Sequence, residues 1–261
     1  MILAGAAHLT AALTWAAAIQ AIGAAVPLIL IERRSLAVKL ALVRSRLAHH
    51  GALTAAGQLL YLAWTATDRL RLVPGVAEPP AVPAPVPSPR PEIHILSDIN
   101  AAPAAARIRA ANATLAAVYG TSVIRAETLA ALPADSFNLH TGLIRYHRGI
   151  ACSFWALAAG HPERIGVTVH RLTAGIDTGA PVAERVLGED ALAHAGSMRR
   201  LDAAVDRSGE ELMRDVLLRA ARAELPPVQS CSSNPTHALG PLHTAPTLRE
   251  YWRVTRRFNL R

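Results

Sequence analysis

An α/β fold is predicted for this 261-residue chain, Rossmann-like, with a mainly parallel sheet flanked by helices. Three observations predict it. Short apolar runs alternate with helical stretches along most of the chain, which is the pattern of βα units. The first runs are apolar throughout rather than alternating, as expected of strands covered on both faces. Polar side chains of chemical interest also fall at the carboxyl ends of the expected strands, where doubly wound sheets bind ligands.

The elements follow in order. Ile2 to Ala4 reads as a buried strand, His8 to Ala21 as a helix and Val26 to Ile31 as a second strand. The first 31 residues hold no charged side chain, which imitates a membrane segment. A signal peptide would need a basic start, and a spanning helix about 20 strongly apolar residues. Here the run is diluted by Ala, Gly, Thr and Gln20 and closed by Pro27, so strand, helix and strand is the reading. Ser35 to His49 is amphipathic and helical, Gly51 stops it, and Leu53 to Arg69 is a second helix. Eight of the 18 prolines then fall between Pro74 and Pro91, giving an extended connector. Residues 32–91 thus form a helical insert with a Pro-rich linker.

From Glu92 the alternation is regular. Ile93 to Leu96 is a strand, Pro103 to Asn112 a helix, Thr114 to Tyr119 a strand ending at Gly120, and Ala126 to Leu132 a helix closed by Pro133. Ser136 to His140 is a strand and Cys152 to Ala159 a helix. Gly166 to Leu172 is an alternating strand, followed by a Gly-rich loop and the run Pro181 to Val186. This spacing implies a parallel, doubly wound sheet. Asp190 to Glu224 forms two amphipathic helices. The tail 225–261, rich in Pro, Ser and His, reads as a surface-wrapping arm. Residues 1–224 are expected to form the catalytic domain, with its motif region at 92–187.

The formal net charge is +8, yet Lys39 is the sole lysine and the arginines are scattered. Scatter of this kind reads as compositional bias rather than a nucleic-acid footprint. Cys152 and Cys231 have neither metal nor disulfide-framework spacing; a reducing, cytoplasmic setting with no metal is the expectation. Neither nucleic acid nor membrane is an expected partner. The amphipathic helices and the tail leave room for a homodimer.

The chemistry centres on two elements. Asn138 and His140 lie two apart on a strand and so share a face, joining an amide donor to the side chain best suited to proton transfer near neutrality. Either alone would read as a satisfied core polar group. Gly166-Val167-Thr168-Val169-His170 then precedes Thr173-Ala174-Gly175-Ile176-Asp177-Thr178-Gly179. An acid between glycines is by itself an ordinary turn residue.

Taken together, these motifs resemble the folate-dependent formyltransferase superfamily. Its pattern is Asn-x-His at a strand end, a Leu-rich segment into Tyr-Arg-Gly, a Gly-Val-Thr-x-His strand and an Asp-(Thr/Gly)-Gly loop. Here Asn138, His140, Leu143, Arg148-Gly149, Gly166 to His170 and Asp177-Thr178-Gly179 occur in that order. The resemblance covers roughly Ile95 to Val186. It implies 10-formyltetrahydrofolate as donor and co-substrate, and a small-molecule amine as acceptor. It implies that Asn138 and protonated His140 stabilise an oxyanion and that Asp177 takes the amine's proton, with His170 and Thr168 in support. It also implies folate contacts from Gly120, Thr121, Ser122, Val123 and Ile124, and from Leu172, Thr173, Ala174, Gly175 and Ile176. Arg145, Tyr146, His147 and Arg148 are the acceptor-side expectation.

The departures narrow the role. Gly5-Ala6-Ala7-His8 is not the Gly-rich phosphate loop of the purine-pathway enzymes. Only a short tail follows the last expected helix, where the tRNA-directed enzymes place a barrel. The insert has no counterpart in the minimal domain. Together these point to a sugar, amino-acid or natural-product amine. A formyltetrahydrofolate hydrolase, a transferase of another acyl or one-carbon group, and a basic nucleic-acid-binding module are the alternatives.

Overall fold

A computed structural model describes residues 1–35, 44, 47, 48, 51–70, 88–225 and 238–260. Most of the expected helix 35–49 and of the Pro-rich connector, and Cys231, lie outside the described residues.

A seven-stranded sheet forms the centre. Its strands are β1 (Ile2–Gly5), β2 (Leu28–Glu32), β3 (Glu92–Leu96), β4 (Leu115–Tyr119), β5 (Asp135–His140), β7 (Gly166–Arg171) and β8 (Pro181–Val186), in the spatial order 3-2-1-4-5-7-8. β1 to β5 pair in parallel. β7 and β8 are antiparallel to their neighbours, so the sheet is mainly parallel, as expected. The segment before β7 is a short helix, α5 (Cys152–Ala158), with a 3-10 turn (Pro162–Arg164). It doubles the chain back rather than completing a right-handed crossover.

The helices are α1 (Leu9–Ala21), α2 (Ala52–Leu70), α3 (Ala102–Ala110), α4 (Ala126–Ala131), α5, α6 (Gly188–Ala195), α7 (Met198–Ala221) and α8 (Leu248–Arg257). Strand alternation sends Ile2, Ala4, Ile29, Ile31, Phe137 and Leu139 to one face, where they meet Trp15 of α1, Phe154 of α5 and Leu201, Val205 and Met213 of α7. Met1, Leu3, Leu28 and Leu30 go to the other face, against Ile108 of α3. β1 and β2 are buried along their whole lengths, the expected consequence of cover on both faces. Each fully buried Ile, Leu or Phe contributes about 1.5–3 kcal/mol, so this three-layer core fixes where the strand ends lie. No described helix is long and apolar enough to cross a membrane.

The tail differs from the expected surface arm. Residues 238–260 hold a strand, β9 (Leu242–His243), and α8, and Val254 and Leu260 enter the main core. β9 pairs in parallel with β6 (Arg148–Gly149) beside the sheet. Thr247 and Glu250 form a reciprocal capping box at the start of α8. That local signal marks a helix, and the proline and serine around it obscured it.

Candidate active site

The strand order reverses between β1 and β4, so the loops after these two strands diverge and open a cleft at their carboxyl ends. Gly5 and Gly120 end the two strands in contact. A Cβ on Gly5 would collide with the Gly120 carbonyl oxygen, and Gly120 itself has φ +65°. Only glycine tolerates both constraints. The cleft measures about 760 Å³ and is lined by Gly120 to Ile124, Asn138, His140, His170, Leu172, Thr173 and Gly175 to Asp177. All of these were expected from the sequence.

Glu32 organises its far side. It closes β2 as the first charged side chain of the sequence, and its buried carboxylate accepts N–H bonds from Ile99 (3.1 Å) and Ser122 (2.6 Å). Arg34 donates to it at 3.4 Å and to the Ser122 hydroxyl at 3.0 Å. Three loops are thereby tied to one carboxylate. Glu32→Ala is expected to orphan one buried and one part-buried donor and lower stability by about 2–4 kcal/mol, read as a shift in the urea midpoint; a change under about 0.5 kcal/mol is the surface-residue result and would refute this role.

The reactive cluster forms where β5 faces β7. Antiparallel register places Asn138 opposite His170 and His140 opposite Thr168. Asp177, held at φ +52° in its turn, enters from the loop after β7. Its Oδ2 accepts the Gly149 N–H at 2.8 Å and lies 3.3 Å from His140 Nδ1. Its Oδ1 lies 3.5 Å from His170 Nε2. The Asp177 carboxylate is therefore more than a turn residue.

His170 Nδ1–H donates to the Arg171 carbonyl at 2.8 Å, and Nε2 faces both the Asn138 amide nitrogen at 3.1 Å and the Asp177 carboxylate. His140 Nε2 faces the His147 carbonyl at 3.1 Å and the thiol of buried Cys152 at 3.4 Å. Thr168 donates to the Gly142 carbonyl at 2.8 Å and so holds the turn that follows His140.

Electrostatics sets the resting protonation. Burial alone would raise the pKa of Asp177. The hydrogen bond from His170 and the Gly149 N–H outweigh it, so the carboxyl titrates below its ordinary range. Burial lowers the pKa of His140 and prevails over Asp177 and the His147 carbonyl, which raise it. The low-dielectric site therefore disfavours the protonated ring that the sequence motif implies.

The segment 145–148 does not line the cleft. Arg145 pairs with Glu184 at 2.9 Å, and both Arg145 and Arg164 lie over the Tyr146 ring. Arg148 donates to the carbonyls of Gly240 and Ile176. His147 is buried, its Nδ1 3.0 Å from His243 Nε2. These side chains brace the loop beneath the cluster. Ala174 also stands back from the cleft.

Burial, followed by the neighbouring His243 and Arg164, lowers the His147 pKa to about 4. A depressed folded pKa means stability that is complete above the unfolded value near 6.5 and lost as pH falls toward 4. Thermal melts from pH 7 to 4 should show this loss, and His147→Asn should flatten the curve; an unchanged slope would contradict the assignment.

Several lining residues carried no sequence signal. His8, Tyr119, Asp206 and Glu210 flank one end of the cleft, with the Tyr119 hydroxyl donating to Asp206 at 2.9 Å. Burial, Asp206 behind it, raises the Glu210 pKa. Leu242, His243 and Thr244 wall another side. On α7 the two acids, four apart, read as a solvated face, and only tertiary packing turns them inward.

Residues 97–217 match the family model described as formyl transferase. A methionyl-tRNA formyltransferase from Albidiferax ferrireducens is 33% identical over 129 residues, 49% of this chain and 38% of that protein. A second, from Anaeromyxobacter dehalogenans, is 37% identical over 89 residues, 33% of this chain and 28% of that one. The chain thus spans well under half the length of these curated relatives. Among solved structures, glycinamide ribonucleotide transformylase 1 from Symbiobacterium toebii superposes with a TM-score of 0.56 at 15% identity, covering 92% of this chain and 93% of that one. A sugar N-formyltransferase from a Shewanella species gives 0.54 at 12% identity, covering 98% and 86%. The family match over 97–217 and the shared fold bear out the resemblance to the formyltransferase superfamily that the motifs carry.

Proposed function

We propose that this protein transfers a formyl group from 10-formyltetrahydrofolate to the amine of a small molecule: a sugar, an amino acid or a natural-product intermediate. The observation that carries the reading is the meeting of His140 and His170 at the Asp177 carboxylate inside the cleft, with Asn138 bonded to His170 beside them. The loops 120–124 and 172–176 border the same cleft. They supply backbone donors and acceptors beside apolar Val123, Ile124 and Leu172, a surface suited to a flat, polar-edged pteridine.

The residues divide the chemistry among them. Attack by the amine nitrogen forms a C–N bond and moves the carbonyl electron pair onto oxygen. The Asn138 amide N–H not bound to His170 stabilises that oxyanion, with the His140 ring beside Asp177 as the second polar group. Asp177, ionised at neutral pH, takes the proton released by the attacking nitrogen. As the intermediate collapses, the bond from carbon to the folate N10 breaks and N10 receives a proton, giving a formamide and tetrahydrofolate. His170 holds Asn138 in place and Gly149 holds Asp177.

Two measurements test this. Purified protein should bind 5-formyltetrahydrofolate, a stable folate, and release tetrahydrofolate from the 10-formyl compound when an amine acceptor is present. Absence of any folate binding would sink the reading.

A further inference from the structure

The acceptor side of the cleft takes its shape from a segment far along the chain. β9 lies against β6 with Gly149 opposite His243, and the pair is held by the Arg148 N–H to the Pro241 carbonyl at 3.0 Å and the Ile150 N–H to the His243 carbonyl at 3.3 Å. Contact is so close that a Cβ on Gly149 would collide with the His243 carbonyl oxygen. Gly149 is also the residue whose N–H anchors Asp177. β9 therefore abuts the backbone that positions the proton acceptor.

The side chain of His243 is held on two sides. Its ring stacks on Trp155, centroids 4.8 Å apart and 12° from parallel, and its Nε2 meets His147 Nδ1 at 3.0 Å. Nδ1 is left as the ring's uncommitted polar atom among the described residues, on a side chain that lines the cleft. The following residues are pinned as well. Trp155 Nε1–H donates to the Thr244 carbonyl at 3.0 Å, and buried Gln58 of the insert donates to the Ala245 carbonyl at 2.9 Å and the Thr244 hydroxyl at 3.2 Å. A side chain fixed by stacking and a hydrogen bond loses little further entropy on binding a ligand.

We infer that β9 is the acceptor-specificity wall of the cleft, with His243 hydrogen-bonding a hydroxyl or carbonyl of the amine substrate and Gln58 of the insert as its positioning residue. The inference rests on the formyl-transfer reading. The insert and the tail then act as one unit, in which the insert clamps the tail and the tail meets the acceptor. Burial lowers the His243 pKa, so a neutral ring makes that contact. The donor loops 120–124 and 172–176 make no part of this wall.

The test uses the full chain with D-glucosamine, a nucleotide-linked amino sugar, glycinamide, L-lysine and spermidine as acceptors. His243→Ala should raise the acceptor KM about tenfold, the worth of one well-placed hydrogen bond, with kcat and the 5-formyltetrahydrofolate Kd within about twofold. Gln58→Leu should produce the same acceptor-side loss without touching the cleft. Independently of turnover, at least one of the five amines should protect His243 from diethyl pyrocarbonate, read by peptide mass, whereas 5-formyltetrahydrofolate should not. A fall in kcat at unchanged KM, an unaltered KM in both variants, or absence of protection by all five amines overturns the inference. Failure of the wild-type protein to bind folate would instead overturn the formyl-transfer reading, and protection of His243 by an amine would stand apart from it.

Discussion

Asp177→Asn is expected to lower formyl transfer by about a thousandfold, within the range that a positioned acid–base group contributes, while folate binding holds. Asparagine keeps the shape and can still accept the Gly149 N–H through its amide oxygen. What it loses is the charge that faces His140 at 3.3 Å and the capacity to take the amine's proton. The lowered pKa of Asp177 means the wild-type carboxylate is ionised throughout the neutral range. Loss of activity should therefore persist across pH 6–8 rather than recover at either end. Single-turnover kinetics with saturating 10-formyltetrahydrofolate measure the chemical step directly. Retention of more than about a tenth of wild-type turnover would remove Asp177 from the chemistry, because it lies far above the level expected after loss of an acid–base residue.

Asn138→Ala should cost about 100-fold to 1000-fold in the same step, the usual penalty for deleting one oxyanion donor. Its effect should not add to that of His170→Ala. The two side chains share one hydrogen bond at 3.1 Å, and His170 otherwise meets the Arg171 carbonyl and Asp177. Removing either partner releases the other, so the double variant should be scarcely slower than the worse single one. Full additivity would mean that His170 acts on the reaction by a separate route. Because both lie on the largely buried strands β5 and β7, circular dichroism and a urea midpoint should accompany each rate.

Much of the cluster was legible because its geometry is local. Asn138 and His140 share a strand face by period alone, and Asp177 follows His170 after one short loop. The buried strands β1 and β2 were legible as unbroken apolar runs for the same kind of reason: burial on both faces leaves no polar period. Local pattern failed where pairing direction matters. Nothing within Gly166 to Val186 states that β7 runs antiparallel to β5, since strand alternation is identical in either sense. It also failed where burial reverses an ordinary preference. A histidine is free to carry a proton in water, but His140 is placed where desolvation removes it.

The acceptor-side expectation turned on similar contacts. Arg145 to Arg148 stand next to the catalytic motif in sequence and have the charge a substrate clamp would need. Each is nevertheless engaged by protein: Glu184, Tyr146, His243 and the carbonyls of Gly240 and Ile176. The cleft is lined instead by 242–244, nearly a hundred residues onward, a segment whose prolines and serines read as a surface arm.

The sequence by itself determined the α/β class and singled out the loops 120–124 and 172–176 and the trio Asn138, His140 and Asp177 that line one cleft, because strand period and short-loop spacing are properties of neighbouring residues. Only the tertiary structure decided the burial of His140, the anchoring of Asp177 by Gly149, the tying of three loops to Glu32 and the lining of the cleft by β9. Each of those depends on burial or on contact between segments distant in the chain, and no local pattern of residues encodes either.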